Sequence, residues 1–184
     1  MEICGEIAYI GKEGRRMTIK IYLIEDCVEE AKELLEKLRE IAQEKNTHEI
    51  NFEFQHLRGT QEGTVENKTY LFYEENIVRE LDRIYNNETT ENVKIGILLD
   101  MMLTEADVRS RYAHYYPEAA IAKKIYFGLN KKMPIYLISS YPEFATQCEV
   151  IMGEDLSDKF ITKNAVLRYN IQADIDKMFK FFEK

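Results

Sequence analysis

Residues 93–100, VKIGILLD, constrain this chain more than any other segment: an apolar run that stops abruptly at a carboxylate. The run is far shorter than the roughly 20 residues a membrane span requires. It lacks polar alternation, so it suits a strand covered on both faces. The same design recurs. KIYLI (20–24) runs into Glu25 and Asp26, PIYLISS (134–140) ends in Ser139 and Ser140, and DKFITK (158–163) ends in Thr162 and Lys163. Strands of this kind belong to parallel sheets with helices on both sides.

The segments between them supply the helices. In VEEAKELLEKLREIAQEK (28–45), Val28, Ala31, Leu34, Leu35, Leu38, Ile41 and Ala42 share one face at helical spacing. ENIVRELDRIY (75–85) repeats the pattern. PEAAIAKKIYFGLNKK (117–132) reads as a helix with proline in its first turn, and 142–152 as a short one. IQADIDKMFKFFEK (171–184) reads as a last helix with Ile171, Ile175, Met178, Phe179 and Phe182 inward. INFEFQHL (50–57) alternates like a strand, and TYLFY (69–73) is strand-like. Between them, 58–69 is polar with Gly59 and Gly63 and reads as a turn, so the two runs suit a hairpin. The connection from Asp26 to Asp100 is longer than a helix, a strand and a second helix need, which predicts an insertion at about 58–73. Alternation of strands and helices predicts one doubly wound α/β domain over 18–184, after an N-terminal extension, 1–17. The last helix reaches the end of the sequence, so no output domain is expected after it.

Charge narrows the function. The net charge is −8, with 33 acidic against 25 basic residues, which disfavours a nucleic-acid partner. No apolar run is long enough for a membrane span, and the acids and glycines of MEICGEIAYIGKEGRRM rule against a signal peptide. Cys4, Cys27 and Cys148 are scattered without metal spacing and read as reduced thiols of a cytoplasmic protein. His48, His56 and His114 are equally scattered and are assigned no catalysis.

In a parallel sheet, sites form beyond the carboxyl ends of the strands. Glu25, Asp26, Asp100, Ser139 and Lys163 would converge there. Three carboxylates at close quarters repel, and a hard divalent ion such as Mg²⁺ relieves that. An Asp neutralised in this way can attack a phosphoryl group and form an aspartyl phosphate, with lysine stabilising the phosphoryl oxygens.

This set, in this order, resembles the receiver domain of bacterial response regulators, the CheY-like superfamily, over roughly 18–184. The resemblance rests on IYLIED, ILLDMML, PIYLISS and FITKN. It implies a flavodoxin-like five-stranded parallel sheet in the order 2-1-3-4-5, with helices on both faces. It makes Asp100 the phosphoacceptor and Lys163 and Ser139 its catalytic partners. Glu25, Asp26, Asp100 and the backbone carbonyl of Met102 become the Mg²⁺ ligands, and Ser139 and Phe160 the switch. The implied partners are a histidine kinase or phosphotransfer protein and a downstream protein target. The chain would be a phosphorelay switch, catalysing nothing but its own phosphorylation and dephosphorylation. Bulky Met102 and Tyr141, two positions after Asp100 and Ser139, imply slow loss of the phosphoryl group.

Three positions depart from the family pattern: Thr104 and Asn164 stand where proline is usual, and Ser140 replaces a smaller residue. Without proline a cis bond after Lys163 would cost several kcal/mol, so that loop is expected to differ. The departures give weight to an alternative, a pseudo-receiver that binds a partner without phosphorylation. A haloacid-dehalogenase-type phosphatase would need an acid at Met102, and no P-loop motif occurs. Individual residues have plainer alternatives: Asp26 as a helix N-cap, Phe160 as core, and RYAHYYP (111–117) as the packed start of a helix. The inserted hairpin would lie at the sheet edge beside strand 2, where a second copy of the chain could cover it and form a two-fold dimer.

Overall fold

A computed structural model describes residues 16–58, 60–63, 68–71, 74–103 and 119–184. Five strands form one all-parallel sheet: β1 (Met17–Ile24), β2 (Ile50–His56), β5 (Val93–Asp100), β6 (Ile135–Ser139) and β7 (Phe160–Thr162). Their spatial order is β2-β1-β5-β6-β7. Counted along the chain that is 2-1-3-4-5, the flavodoxin-like order expected from the sequence. Two short strands, β3 (Thr60–Gly63) and β4 (Lys68–Leu71), pair antiparallel with each other.

The central strands read as unbroken apolar runs because both faces are covered. Along β1, Ile21 and Leu23 enter one core and Tyr22 and Ile24 the other. In β5, Leu98 goes with the first pair, while Ile97 and Leu99 go with the second. One core lies under α1 (Val28–Lys45), α5 (Lys163–Leu167) and α6 (Gln172–Glu183). The other lies under α2 (Glu74–Glu88), α3 (Ala119–Leu129) and α4 (Glu143–Met152). Helix α1 buries Ala31, Leu34, Leu35, Leu38, Ile41 and Ala42, the predicted face apart from Val28, which is half-buried. Each buried leucine contributes roughly 1.5–3 kcal/mol, against about 1–2 kcal/mol to order each residue's backbone, so packing rather than propensity holds such a helix. No helix of the described residues is long and apolar enough to cross a membrane.

Several boundaries differ from the sequence reading, each for a local reason. Segment 50–57 does not pair with 69–73; β2 is taken up in parallel by β1, and β4 pairs instead with 60–63, which read as loop. The hairpin therefore stands apart from the main sheet. Helix α3 ends at Leu129 rather than 132, where the amides of Lys132 and Met133 both turn back to the carbonyl of Leu129, at 2.8 and 3.1 Å, ahead of Pro134. The 158–163 strand shrinks to Phe160–Thr162, preceded by a 3₁₀ turn at Ser157–Lys159. Lys163 then opens α5, for which Thr162 Oγ1 caps the amide of Ala165 at 3.1 Å. Ile171 flanks α6 and is 41% exposed, not inward. Thr104 and RYAHYYP lie outside the described residues, as do residues 1–15 of the extension, whose last residue, Met17, belongs to β1.

Candidate functional site

The carboxyl ends of β1, β5, β6 and β7 lie along one edge of the sheet, and polar residues at or just after the ends of β1, β5 and β7 meet there. Glu25 and Ser139 are fully buried, and Asp26, Asp100 and Lys163 are nearly so. Oxygens of Glu25, Asp26 and Asp100 all lie within 4.8 Å of one another. Lys163 Nζ sits 2.6 Å from Glu25 Oε2, 2.6 Å from Glu30 Oε2 and 3.1 Å from Asp100 Oδ2. Glu25, Asp26, Glu30, Asp100 and Lys163 border a cavity of about 220 Å³ walled also by Cys27, Met102, Ser140 and Tyr141.

Local structure aims each group. Glu25 Oε1 accepts the amide of Cys27 at 3.1 Å, which folds the carboxyl back over the start of α1. His56 Nε2 lies 3.1 Å from the carbonyl of Glu25 and ties β2 to the same turn. Burial pulls the His56 pKa below its ordinary value, so the ring is neutral at neutral pH. The N-cap position of α1 is Cys27, with no side-chain cap bond, so capping does not account for Asp26. The Cys27 thiol is free, and burial pushes its pKa up. Asp100 Oδ2 accepts from Lys163 Nζ, while its Oδ1 is buried with no hydrogen-bond partner among the described residues.

The electrostatics follow from one ammonium facing an excess of acid. Burial, then the charge of Asp100, raises the Glu25 pKa, with only partial relief from Lys163. Burial likewise raises Asp100 against the pull of Lys163. Burial opposes the charge of Lys163, but Asp100 and Glu25 outweigh it and hold its pKa above the ordinary lysine value. A cavity with surplus buried carboxylate and an orphaned Asp100 oxygen fits a hard divalent cation with oxygen ligands.

Of the residues read from the sequence, Glu25, Asp26, Asp100, Met102 and Lys163 border one cavity. Ser139 lies behind its wall: its Oγ accepts the amide of Tyr141 at 3.2 Å, and Ser140 faces the cavity. Phe160 is 8% exposed and packs in the core beneath. Asn164 lies in the first turn of α5, and no cis peptide occurs among the described residues, so this loop does depart from the family pattern. The reading missed Glu30, whose only signal was its place four residues after Asp26, in the first turn of α1.

Compared with known proteins, the chain matches no family model and no curated protein.

Proposed function

We propose that the chain is a phosphoryl-accepting signalling switch of the receiver type, phosphorylated on Asp100 with Mg²⁺ and read out by contact with another protein. One observation carries the reading: Asp100 Oδ2 and Lys163 Nζ meet at 3.1 Å, in a buried cavity shared with Glu25 and Asp26. The donor would be a phosphohistidine on a histidine kinase or phosphotransfer protein. An Asp100 oxygen attacks phosphorus, the P–N bond breaks, and the electron pair leaves with the imidazole nitrogen, which takes a proton from solvent. Glu25, Asp26, Asp100 and the Met102 carbonyl would hold Mg²⁺, whose charge keeps the carboxylates ionised and neutralises the phosphoryl oxygens. Lys163 Nζ turns from Asp100 to a phosphoryl oxygen. Ser139 gives up the amide of Tyr141 to donate to the phosphoryl group, and Phe160 shifts into the space it leaves. The scattered thiols fit a cytoplasmic location.

The test is direct. After incubation with acetyl phosphate and Mg²⁺, intact-protein mass should show one added phosphoryl group, absent in EDTA and in Asp100→Asn. Equal labelling of Asp100→Asn overturns the assignment.

A second reading has its own observation. Lys163 is already engaged by Glu25, Glu30 and Asp100, a closed cross-link between α1, β5 and α5. A phosphorylation-independent interaction module needs nothing more. It predicts no labelling by any small phosphodonor at saturating Mg²⁺.

A further inference from the structure

The opposite end of the sheet carries a second cavity of about 1020 Å³, bounded by the starts of β5 and β6 and one side of α6. The apolar surface of its floor is offered by Tyr85, Pro134 and Phe181, with Ile95 and Phe182 buried beneath them. Its rim is basic: Lys94, Lys132, Lys159, Lys177, Lys180 and Lys184 stand around it. The acids among its lining residues are Asp158 and Asp176, and both are engaged. Lys177 holds Asp158 at 3.0 Å, and Lys45 holds Asp176. Lys159 and Lys184 have no ion pair among the described residues. Thr89 Oγ1, on the wall, is buried without a hydrogen-bond partner among the described residues. This local excess of lysine belongs to a chain of net charge −8, so average composition does not explain it.

We propose that this groove binds an acidic amphipathic peptide segment of a partner protein. Its apolar side chains cover the floor, and its carboxylates meet the lysine rim. The volume lies at the upper limit of small-molecule sites, roughly 300–1,000 Å³, and suits several side chains of a peptide. A nucleic-acid backbone would run past the lysine ring onto the rest of a surface of net charge −8, whereas a short acidic segment stays within it. A recess ringed by lysines, rather than a protruding apolar face, argues against a lipid surface. The groove is at the far end of the sheet from Asp100, so this inference stands whether or not Asp100 is phosphorylated.

Fluorescence anisotropy with the full chain and a labelled Glu-Leu-Glu-Phe repeat peptide tests it. The expected result is saturable binding that weakens with salt. The triple variant Lys159→Glu, Lys180→Glu, Lys184→Glu should bind about tenfold more weakly at an unchanged melting temperature. The matched peptide with Lys in place of Glu should not bind. The inference is overturned by absence of binding, by equal affinity for the Lys peptide, or by undiminished affinity in the triple variant. Stronger binding to oligo-dT or to phosphatidylserine vesicles than to the peptide also overturns it.

Discussion

Lys163 Nζ lies 2.6 Å from Glu30 Oε2, so the first residue of α5 is fastened to the first turn of α1 across the mouth of the cavity. The two ends of this bond differ in kind. The Lys163 side chain is 6% exposed and that of Glu30 41%, so water screens the acid far more than the ammonium. Under the phosphorylation reading, an arriving phosphoryl group has to draw the ammonium away from Glu30.

Glu30→Gln should therefore accelerate labelling by acetyl phosphate. A partly screened charge corresponds to about a 2–5-fold gain at low ionic strength, fading as salt is raised. Intact-mass time courses of parent and variant at two salt concentrations give the comparison. Slower labelling would mean that Glu30 assists the transfer.

The raised pKa of Asp100 makes a second prediction. A carboxyl whose pKa is higher folded than unfolded binds more protons in the native state, so its contribution to stability declines as pH rises. For Asp100 the decline spans its ordinary value of 3.8 to about 6. Asp100→Asn removes the penalty and should stabilise the protein above that window, on the order of 1–3 kcal/mol in EDTA. Melting curves of both proteins from acid to neutral pH should diverge through the window. Saturating Mg²⁺ should close the gap by stabilising the parent.

How much of this was legible in the sequence depended on the length scale of each signal. The strands ending at Ile24, Asp100 and Ser139 could be read because burial on both faces makes them uniformly apolar. Asp100 and Lys163 could be placed because parallel strands deliver their carboxyl ends to one edge. Helix α5 could not, since Lys163–Leu167 is too short to establish a period, and its one cue was Thr162 as N-cap. Glu30 reads as one more solvent-facing acid of an amphipathic helix; only the three-dimensional approach of α5 gives it a partner. The β3–β4 pairing was hidden because polar residues 60–63 carry no apolar alternation.

Gly96 supports the sheet by the absence of a side chain. A Cβ there would lie 2.6 Å from Cδ1 of Phe182, whose ring is 1% exposed in the core under α6. Gly96→Ala forces that ring to shift and should cost about 1–3 kcal/mol in urea unfolding. Adding Phe182→Leu should relieve part of the clash, so the double variant loses less than the two single losses combined. Strict additivity would show that ring and methyl do not compete for the same space.

Removing the cation of the carboxylate cavity gives the last prediction. Lys163→Met leaves Glu25 and Asp100 buried against each other, and losing one partner of a buried ion network costs about 3–5 kcal/mol. The loss should be greatest at alkaline pH. Burial already holds both carboxyl pKa values up, and without Lys163 each proton is retained to higher pH, so acid protects the variant. A divalent cation should compensate. With the competing ammonium gone, Mg²⁺ binds more tightly, by about tenfold for a change of about 1.4 kcal/mol. The chain has no tryptophan, and Tyr141 borders the cavity, so tyrosine emission can follow the titration. Equal Mg²⁺ affinity in parent and variant would place the cation away from Lys163 and remove Glu25, Asp26 and Asp100 as its ligands.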